Sequence, residues 1–336
     1  MMRLALIPLA SLLILDGCGM KQASQEMAGL DRSDSTFAAL VPADAALEKL
    51  ASGFDWTEGP VWRASGGYLL FSDIPRNTVY RWKDGEGLSI FMRPAGYTRS
   101  DPAGNELGTN ALAFDAQDRL VFADHGNRQI ARLEETKFTR ATLADRYQGK
   151  RLNSPNDLVY RSNGDLYFTD PPYGLEGLNE NPGKELKVNG VYRLTPSGEL
   201  TLIIHDLTFP NGVGFSPDEK TLYVSNSDPQ RPVWMAYDLG DDGMPGAGRV
   251  LYDATPLLRQ GKKGSPDGFA IDRDGNLLGA GPGGIVVISP AGRLLGTIPV
   301  ASTTSNCAFG DDGSMLYITA DMDLLRIRLN TKGARF

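Results

Sequence analysis

Short runs of apolar residues alternate with polar turns along most of the chain, and one arrangement of these runs occurs six times. Each copy begins with a polar residue, continues into a short apolar run, and reaches a second apolar run after a turn. In the third copy, Asn156 precedes residues 158–160, and residues 166–168 follow the turn at Asn163-Gly164. Such runs bounded by turn residues predict short β-strands. The six polar residues are called the leader residues here: Glu58, Asn110, Asn156, Asn211, Asp267 and Asn306.

The spacing of the leader residues predicts the architecture. Successive leaders are 52, 46, 55, 56 and 39 residues apart, which are the lengths of propeller blades. No long amphipathic helix interrupts the series, so we predict an all-β fold, a six-bladed β-propeller. Only three strands follow Asn306, and we therefore expect a strand at residues 47–51 to complete the last blade and remove an open edge.

The N-terminal residues predict export rather than a part of the propeller. Arg3 precedes an apolar run at residues 4–15, which is short for a membrane span and ends at Leu15-Asp16-Gly17-Cys18. This ending resembles a bacterial lipobox, although Asp16 stands where a small residue is usual; plain secretion with an incidental Cys18 is the alternative. We expect a signal peptide and lipobox at residues 1–18, a flexible tether at 19–44 and the propeller at 45–336. The predicted location is the periplasm or, as a lipoprotein, the outer membrane of a bacterium.

Composition and charge narrow the classes of partner. The net charge of −7 argues against nucleic acid or an anionic membrane surface, and leaves the N-terminal lipid anchor as the one membrane contact expected. Only Cys307 remains after Cys18, and the chain has two histidines, so no Cys/His cluster for a structural zinc is present in the sequence.

The leader residues themselves predict a cation site. In a propeller they begin the innermost strands, so all six should meet at one end of the central channel. Asn and Asp also favour turns, and any one leader alone would be read as a turn residue. Six oxygen-bearing leaders that include two acids are better explained by a divalent cation, because gathered carboxylates would otherwise repel each other. Oxygen ligands favour calcium, with magnesium, manganese or zinc as the alternatives.

The second strand of each blade returns to the same end of the channel. Residues just after these strands are therefore expected to surround the site: Asp73, His125, Asp170, Tyr173, Asn226 and Asp321. A surface histidine is the ordinary interpretation of His125, and contact with a substrate is the alternative.

Several leader motifs resemble one family closely. These are Glu58-Gly59-Pro60-Val61-Trp62, Ser154-Pro155-Asn156-Asp157, Phe209-Pro210-Asn211-Gly212, Ser265-Pro266-Asp267-Gly268 and Asn306-Cys307-Ala308-Phe309. Their order and sequence are similar to those of the SMP-30/gluconolactonase/luciferin-regenerating family, and His125-Gly126-Asn127-Arg128 resembles its bacterial gluconolactonase branch. The resemblance implies that Glu58, Asn211 and Asp267 bind a divalent cation, calcium first, and that Asn156 binds either the metal or the substrate.

The chemistry implied is hydrolysis of a sugar lactone such as D-glucono-1,5-lactone to gluconate. The cation would act as a Lewis acid on the lactone carbonyl, and Asp267 is the candidate general base, with pure metal ligation as its alternative role. Asn156, His125, Asn110 and Tyr173 are the candidate substrate-binding residues. No Gly-x-Ser-x-Gly elbow and no dinucleotide-binding loop occurs in the sequence, which argues against a serine nucleophile and hydride transfer.

Two other functions stay open at the level of sequence. A calcium propeller with the same ligands could hydrolyse phosphotriesters, because a phosphoryl oxygen can replace the lactone carbonyl. A tethered propeller could also be a binding platform without catalysis, although such a platform does not need acids and amides converging on its channel.

Overall fold

The computed structural model describes residues 24–26, 30–99 and 106–336. The described chain is nearly all-β, and its small sheets form a six-bladed β-propeller, which confirms the predicted fold. Within each blade the strands are antiparallel, and in blades 1 to 5 they follow one another outward in chain order. The innermost strand of every blade contacts the innermost strands of both neighbouring blades, so the ring around the channel is closed.

The first three blades have four strands each. Blade 1 consists of Thr57–Arg63, Tyr68–Asp73, Thr78–Lys83 and Gly87–Met92. Blade 2 consists of Thr109–Phe114, Leu120–Asp124, Gln129–Glu134 and Thr139–Ala144. Blade 3 consists of Leu158–Tyr160, Leu166–Asp170, Gly190–Leu194 and Leu200–Ile204. A hairpin of Arg146–Tyr147 and Lys150–Arg151 lies between blades 2 and 3, and a short 3₁₀ helix, Leu178–Glu180, lies within blade 3.

The second half of the chain forms the other three blades. Blade 4 consists of Pro210–Phe215, Thr221–Asn226, Val233–Leu239 and Pro245–Asp253. After the helix Thr255–Arg259, blade 5 consists of Phe269–Ile271, Leu277–Gly281, Gly284–Ile288 and Leu294–Pro299. Blade 6 consists of Thr304–Gly310, Met315–Ala320, Asp323–Arg328 and the N-terminal strand Ala46–Ser52.

The N-terminal strand completes the last blade, as the sequence predicts. Ala46–Ser52 pairs antiparallel with Asp323–Arg328, and Glu48 stands opposite Arg326. The Arg326 Nε atom donates to Glu48 Oε2 over 2.8 Å, and Lys49 forms an ion pair with Asp323 over 2.7 Å. Ser24–Glu26 adds a further strand outside Ala46–Ser52.

Part of the predicted tether is packed against the propeller. Ser35–Leu40 forms a helix that is capped by Asp34, whose carboxylate accepts hydrogen bonds from the backbone of Thr36 and Phe37. The Phe37 ring is fully buried and fills the space left by Gly296 in blade 5. The apolar residues of this segment are therefore anchored, and a flexible tether does not extend over the whole of residues 19–44. The predicted signal peptide, with Arg3 and Cys18, lies outside the described residues, so export and lipidation stay predictions.

Apolar side chains fill the space between adjacent blades. Leu70 and Val79 of blade 1 pack with Leu112 and Phe122 of blade 2, for example, and all four are buried. Burial of one such side chain contributes about 1.5–3 kcal/mol, so the blade faces supply much of the stability. No helix in the described part of the chain is both long and apolar enough to cross a membrane.

The C-terminal residues lie across one end of the channel. Gly333 to Phe336 line a cavity of about 270 Å³ together with inner-strand residues that follow the leaders. Ala334 N donates to Ile271 O over 2.9 Å, and Arg335 bonds Glu219 over 3.0 Å. These contacts hold the C-terminus at the end opposite the leader residues.

Candidate metal and substrate site

The leader residues lie where the regular pairing of the inner strands fails. In blades 1, 2, 4 and 6 the register with the second strand shifts between Glu58 and Val61, Thr109 and Leu112, Pro210 and Val213, and Thr304 and Asn306. In blades 3 and 5 the inner strand begins only after the leader, at Leu158 and Phe269. Such irregularities release side chains from the alternation of a regular strand and re-aim them.

Close backbone approach brings neighbouring leaders together. A Cβ atom on Gly268 would overlap the Asn306 side chain, and one on Gly59, whose φ is +51°, would overlap the Asn110 carbonyl oxygen. Glycine after these leaders therefore makes room for the leader of the next blade. Hydroxyl groups add bonds between blades: Thr169 Oγ1 of blade 3 donates to the carbonyl oxygen of Asn211 over 2.6 Å.

The three residues expected to bind a cation lie close to one another. Asn211 hydrogen-bonds the Asp267 carboxylate, and the Glu58 carboxylate is near enough to raise the pKa of Asp267 by charge repulsion. Asn306 Nδ2 also donates to Glu58 Oε2 over 3.3 Å. Leaders from blades 1, 4, 5 and 6 thus form one cluster, which is called the leader cluster below.

Burial and mutual repulsion perturb the acids of the cluster. Burial, followed by the charges of Asp157 and Glu106, raises the pKa of Glu58 to about 8 in the absence of a cation. Although part of the Asp267 residue is exposed, withdrawal of its carboxyl group from water and the Glu58 charge raise its pKa well above the usual range. A cation between these carboxylates would reverse both shifts, because opposite charge favours the ionised form.

The two remaining leaders, Asn110 and Asn156, are both buried, and one of them carries an unpaired amide oxygen. The Asn110 Oδ1 atom is buried and has no hydrogen-bond partner among the described residues. Asn156 is 3% exposed, and its backbone carbonyl accepts from Ala111 N over 3.0 Å. Since buried polar atoms are nearly always paired, the orphaned Asn110 oxygen is suited to a ligand that the protein alone does not provide.

The donor set fits a hard divalent cation. Residues 24–26, 30–99 and 106–336 contain no group of three or more His, Cys, Asp or Glu side chains that could hold a metal. The leader cluster instead combines two carboxylates with amide side chains, and oxygen-only sets of this kind suit calcium or magnesium better than zinc or copper. Glu58, Asn211 and Asp267 therefore fit the predicted cation, with Asn156 as a further candidate.

His125 and Tyr173 lie at the edge of the leader cluster. His125 is 1% exposed; its Nδ1 atom is 2.9 Å from Glu106 Oε2, and its Nε2 atom is 3.4 Å from Asn110 Nδ2. The Tyr173 ring stacks on Phe209, and its hydroxyl bonds Asn211. Beside His125 lies a polar cavity of about 290 Å³ whose lining includes Tyr97, Arg128, Arg151 and Leu175. The interpretation of His125 as a surface residue is wrong, because its ring is buried.

Three of the residues expected to surround the site hold loops instead. Asp73 accepts hydrogen bonds from the backbone of Asp55 and Trp56, and Asp170 accepts one from Asn153 N over 2.8 Å. Asn226 Oδ1 accepts from Phe209 N over 2.8 Å. Each side chain closes the segment that enters its own blade, which explains its position at the end of a second strand.

The sequence pattern missed three polar residues near the cluster. Asp157 is buried in the channel, accepts backbone hydrogen bonds from Leu158 and Val213, and has its pKa raised to about 7 by burial. Ser227 accepts a hydrogen bond from Asn211 Nδ2 over 3.0 Å, and Glu106 bonds His125. The sequence offers one signal, and it concerns Asp157: this residue is charged and directly follows a leader, whereas Gly, Ala or Cys follows the other five leaders.

The fold and the site together define a six-bladed propeller with a carboxylate–amide cluster at the mouth of its channel. The model of the SMP-30/Gluconolactonase/LRE-like region matches residues 56–321. The chain belongs to this family, as its leader motifs predict.

Individual relatives agree with this assignment. A gluconolactonase of Zymomonas mobilis is 42% identical over 300 residues, which cover 88% of this chain and 84% of that protein. A solved structure described as a gluconolactonase of Xanthomonas campestris is 34% identical with a TM-score of 0.78, over 91% of this chain and 97% of the other. A structure described as a calcium-binding protein, regucalcin, of Agrobacterium tumefaciens has a TM-score of 0.67 over 85% of this chain and 94% of the other. At 19% identity it shows a shared fold.

Proposed function

We propose that this chain hydrolyses a sugar lactone to its hydroxy acid, with a divalent cation held by Glu58, Asn211 and Asp267. Lactone hydrolysis is supported by the family and by the two gluconolactonases described above. The cation is supported by one observation above all: two carboxyl groups and an amide from three different blades lie close together at the channel mouth, where burial and charge repulsion raise the pKa of both acids. Calcium is the cation proposed, because every ligand is an oxygen atom.

The residues of the site have separate tasks in the proposed mechanism. The cation, when bound, supplies Lewis-acid polarisation of the lactone carbonyl. Asp267 accepts a proton from the attacking water, whose oxygen bonds to the carbonyl carbon. The bond from that carbon to the ring oxygen then breaks, and the proton passes from Asp267 to the ring oxygen to give the hydroxyl of the product. Asn110, Asn156 and Tyr173 orient the hydroxyl groups of the sugar.

Turnover of D-glucono-1,5-lactone, corrected for spontaneous hydrolysis, tests this proposal. The protein should hydrolyse the lactone, lose turnover after verified removal of metal by a chelator, and regain it with calcium. Asp267→Asn should lower kcat by about 10²–10⁴-fold, the usual contribution of a general base, with an unchanged circular dichroism spectrum.

Two results would contradict the proposal. Full activity of metal-free protein would reject the role of the cation. Hydrolysis of a fluorophosphate with no hydrolysis of any lactone would assign the site to phosphotriesters instead. If Asp267→Asn does not fold, this carboxylate is structural. The metal dependence of the native protein then tests the proposal.

A further inference from the structure

Glu106, His125 and Asn110 form a chain of side chains that ends at the unpaired amide oxygen. Glu106 precedes the inner strand of blade 2, Asn110 is its leader, and His125 follows its second strand. The contacts are 2.9 Å from Glu106 Oε2 to His125 Nδ1 and 3.4 Å from His125 Nε2 to Asn110 Nδ2. The histidine and the asparagine are 1% and 3% exposed, whereas the Glu106 side chain is 37% exposed.

The proton positions in this chain follow from the chemistry of its groups. A carboxylate oxygen accepts hydrogen bonds, so the contact of Glu106 Oε2 with His125 places a ring proton on Nδ1. The Asn110 group beside the other ring nitrogen is the NH₂ end of the amide, which only donates, so Nε2 is the acceptor in that contact. The amide oxygen is therefore turned away from His125, where it is buried and unpaired.

We propose that Glu106 is a positioning residue, which acts through the His125 tautomer to hold the Asn110 amide with its oxygen free to accept a substrate hydroxyl. Without Glu106, the ring proton can move to Nε2, and the Asn110 amide can then turn its oxygen toward the ring and its NH₂ group toward the substrate. The row of Glu106, His125 and Asn110 thereby favours lactones that carry hydroxyl groups over unsubstituted lactones. The substrate part of this inference rests on the proposed lactone hydrolysis.

Nuclear magnetic resonance can test the tautomer without substrate or metal. The protein has only two histidines, so a ¹⁵N-histidine-labelled sample gives two sets of ring signals. A His205→Gln variant assigns them. Long-range proton–nitrogen correlations distinguish a protonated ring nitrogen from an unprotonated one. His125 should carry its proton on Nδ1 in the native protein and should lose this preference in Glu106→Ala. An Nε2–H tautomer in the native protein would overturn the proposal.

Kinetics with two lactones test the consequence for substrate selection. Glu106→Ala should lower kcat/KM for D-glucono-1,5-lactone by about 2–10-fold, the range for loss of one hydrogen bond, mainly through KM. The variant should have the same kcat/KM as the native protein for δ-valerolactone, which has no hydroxyl groups. Glu106→Gln should restore most of the loss, because its amide oxygen can still accept from Nδ1–H. Glu180→Ala is the matched control, since it removes an exposed carboxylate from the 3₁₀ helix of blade 3.

A double variant shows whether Glu106 acts through Asn110. Adding Glu106→Ala to Asn110→Ala should have no further effect on kcat/KM, and an additive loss would overturn the proposal. Calcium affinity by titration calorimetry should be the same in Asn110→Ala and the native protein; a weaker affinity would assign the Asn110 oxygen to the cation instead. Absence of all lactone turnover in the native protein would reject the proposed function, and the tautomer experiment would still decide the arrangement of the chain.

Discussion

At the scale of the residue, the site contains acidic side chains whose surroundings disfavour the ionised carboxylate. Glu58 is buried, and the nearby carboxylates add to the cost of its ionisation. Asp267 experiences the same two effects. A protein keeps such an arrangement at a functional site when a ligand compensates for it, and perturbed acids in a cleft are typical of such sites.

This arrangement predicts how the stability of the metal-free protein depends on pH. The pKa of Glu58 is raised from 4.5 to about 8 in the folded protein, so the folded state holds a proton that the unfolded state releases. The free energy of unfolding should therefore fall as the pH rises from about 4.5 to about 8. Thermal unfolding of chelator-treated protein between pH 5 and pH 9 measures this dependence.

A comparison with Glu58→Gln isolates the contribution of Glu58. The variant should show a shallower fall of Tm over the same pH range, since only the other buried acids still titrate. Calcium should raise the Tm of the native protein most at the upper end of the range. Parallel pH profiles of native protein and variant would show that Glu58 is not the perturbed acid.

Individual residues also show what sequence reasoning can and cannot supply. The leader positions were predictable because each begins a repeated unit, and the structure brings Glu58, Asn211 and Asp267 together as the repeat implies. The roles of Asp73, Asp170 and Asn226 were not predictable, because a polar residue at a strand end can face a ligand or cap a backbone segment equally well. Glu106 lies outside the repeat, and only the folded chain brings it to His125.

At the scale of the element, the fold depends on one strand from the opposite end of the chain. Ala46–Ser52 covers the edge of Asp323–Arg328, and Leu47 is buried there at 4% exposure. The sequence predicted this closure by a count of strands, which requires no side-chain detail. It did not predict the helix Ser35–Leu40, because six residues within a Ser/Ala-rich segment give too little periodicity, and docking of Phe37 decides the outcome.

Truncation tests the closure. Removal of residues 1–53 should expose the Asp323–Arg328 edge, promote self-association and lower the Tm by an amount on the order of 10 °C, since loss of a strand costs several kcal/mol. Removal of residues 1–44 is the control, because it removes the helix Ser35–Leu40 as well but keeps the closing strand Ala46–Ser52. Differential scanning calorimetry with size-exclusion chromatography measures both effects. Equal Tm values for the two truncations would contradict the role assigned to this strand.

At the scale of the whole molecule, six inner strands act as a ring that collects side chains far apart in sequence. No single blade contains a binding site, since each contributes one leader. The register irregularities at the leaders and the glycines beside them let these side chains meet at the channel mouth. The C-terminal residues lie across the other end of the channel.

The central claim is that this ring presents one cation-binding set of oxygen atoms at its mouth. A crystal structure of the protein with calcium, with the ion located by anomalous scattering, tests it most directly. The account predicts one ion at the channel mouth, about 2.3–2.6 Å from oxygen atoms of Glu58, Asn211 and Asp267. An ion bound elsewhere, with these three side chains left without a metal in a protein that still hydrolyses lactones, would contradict it.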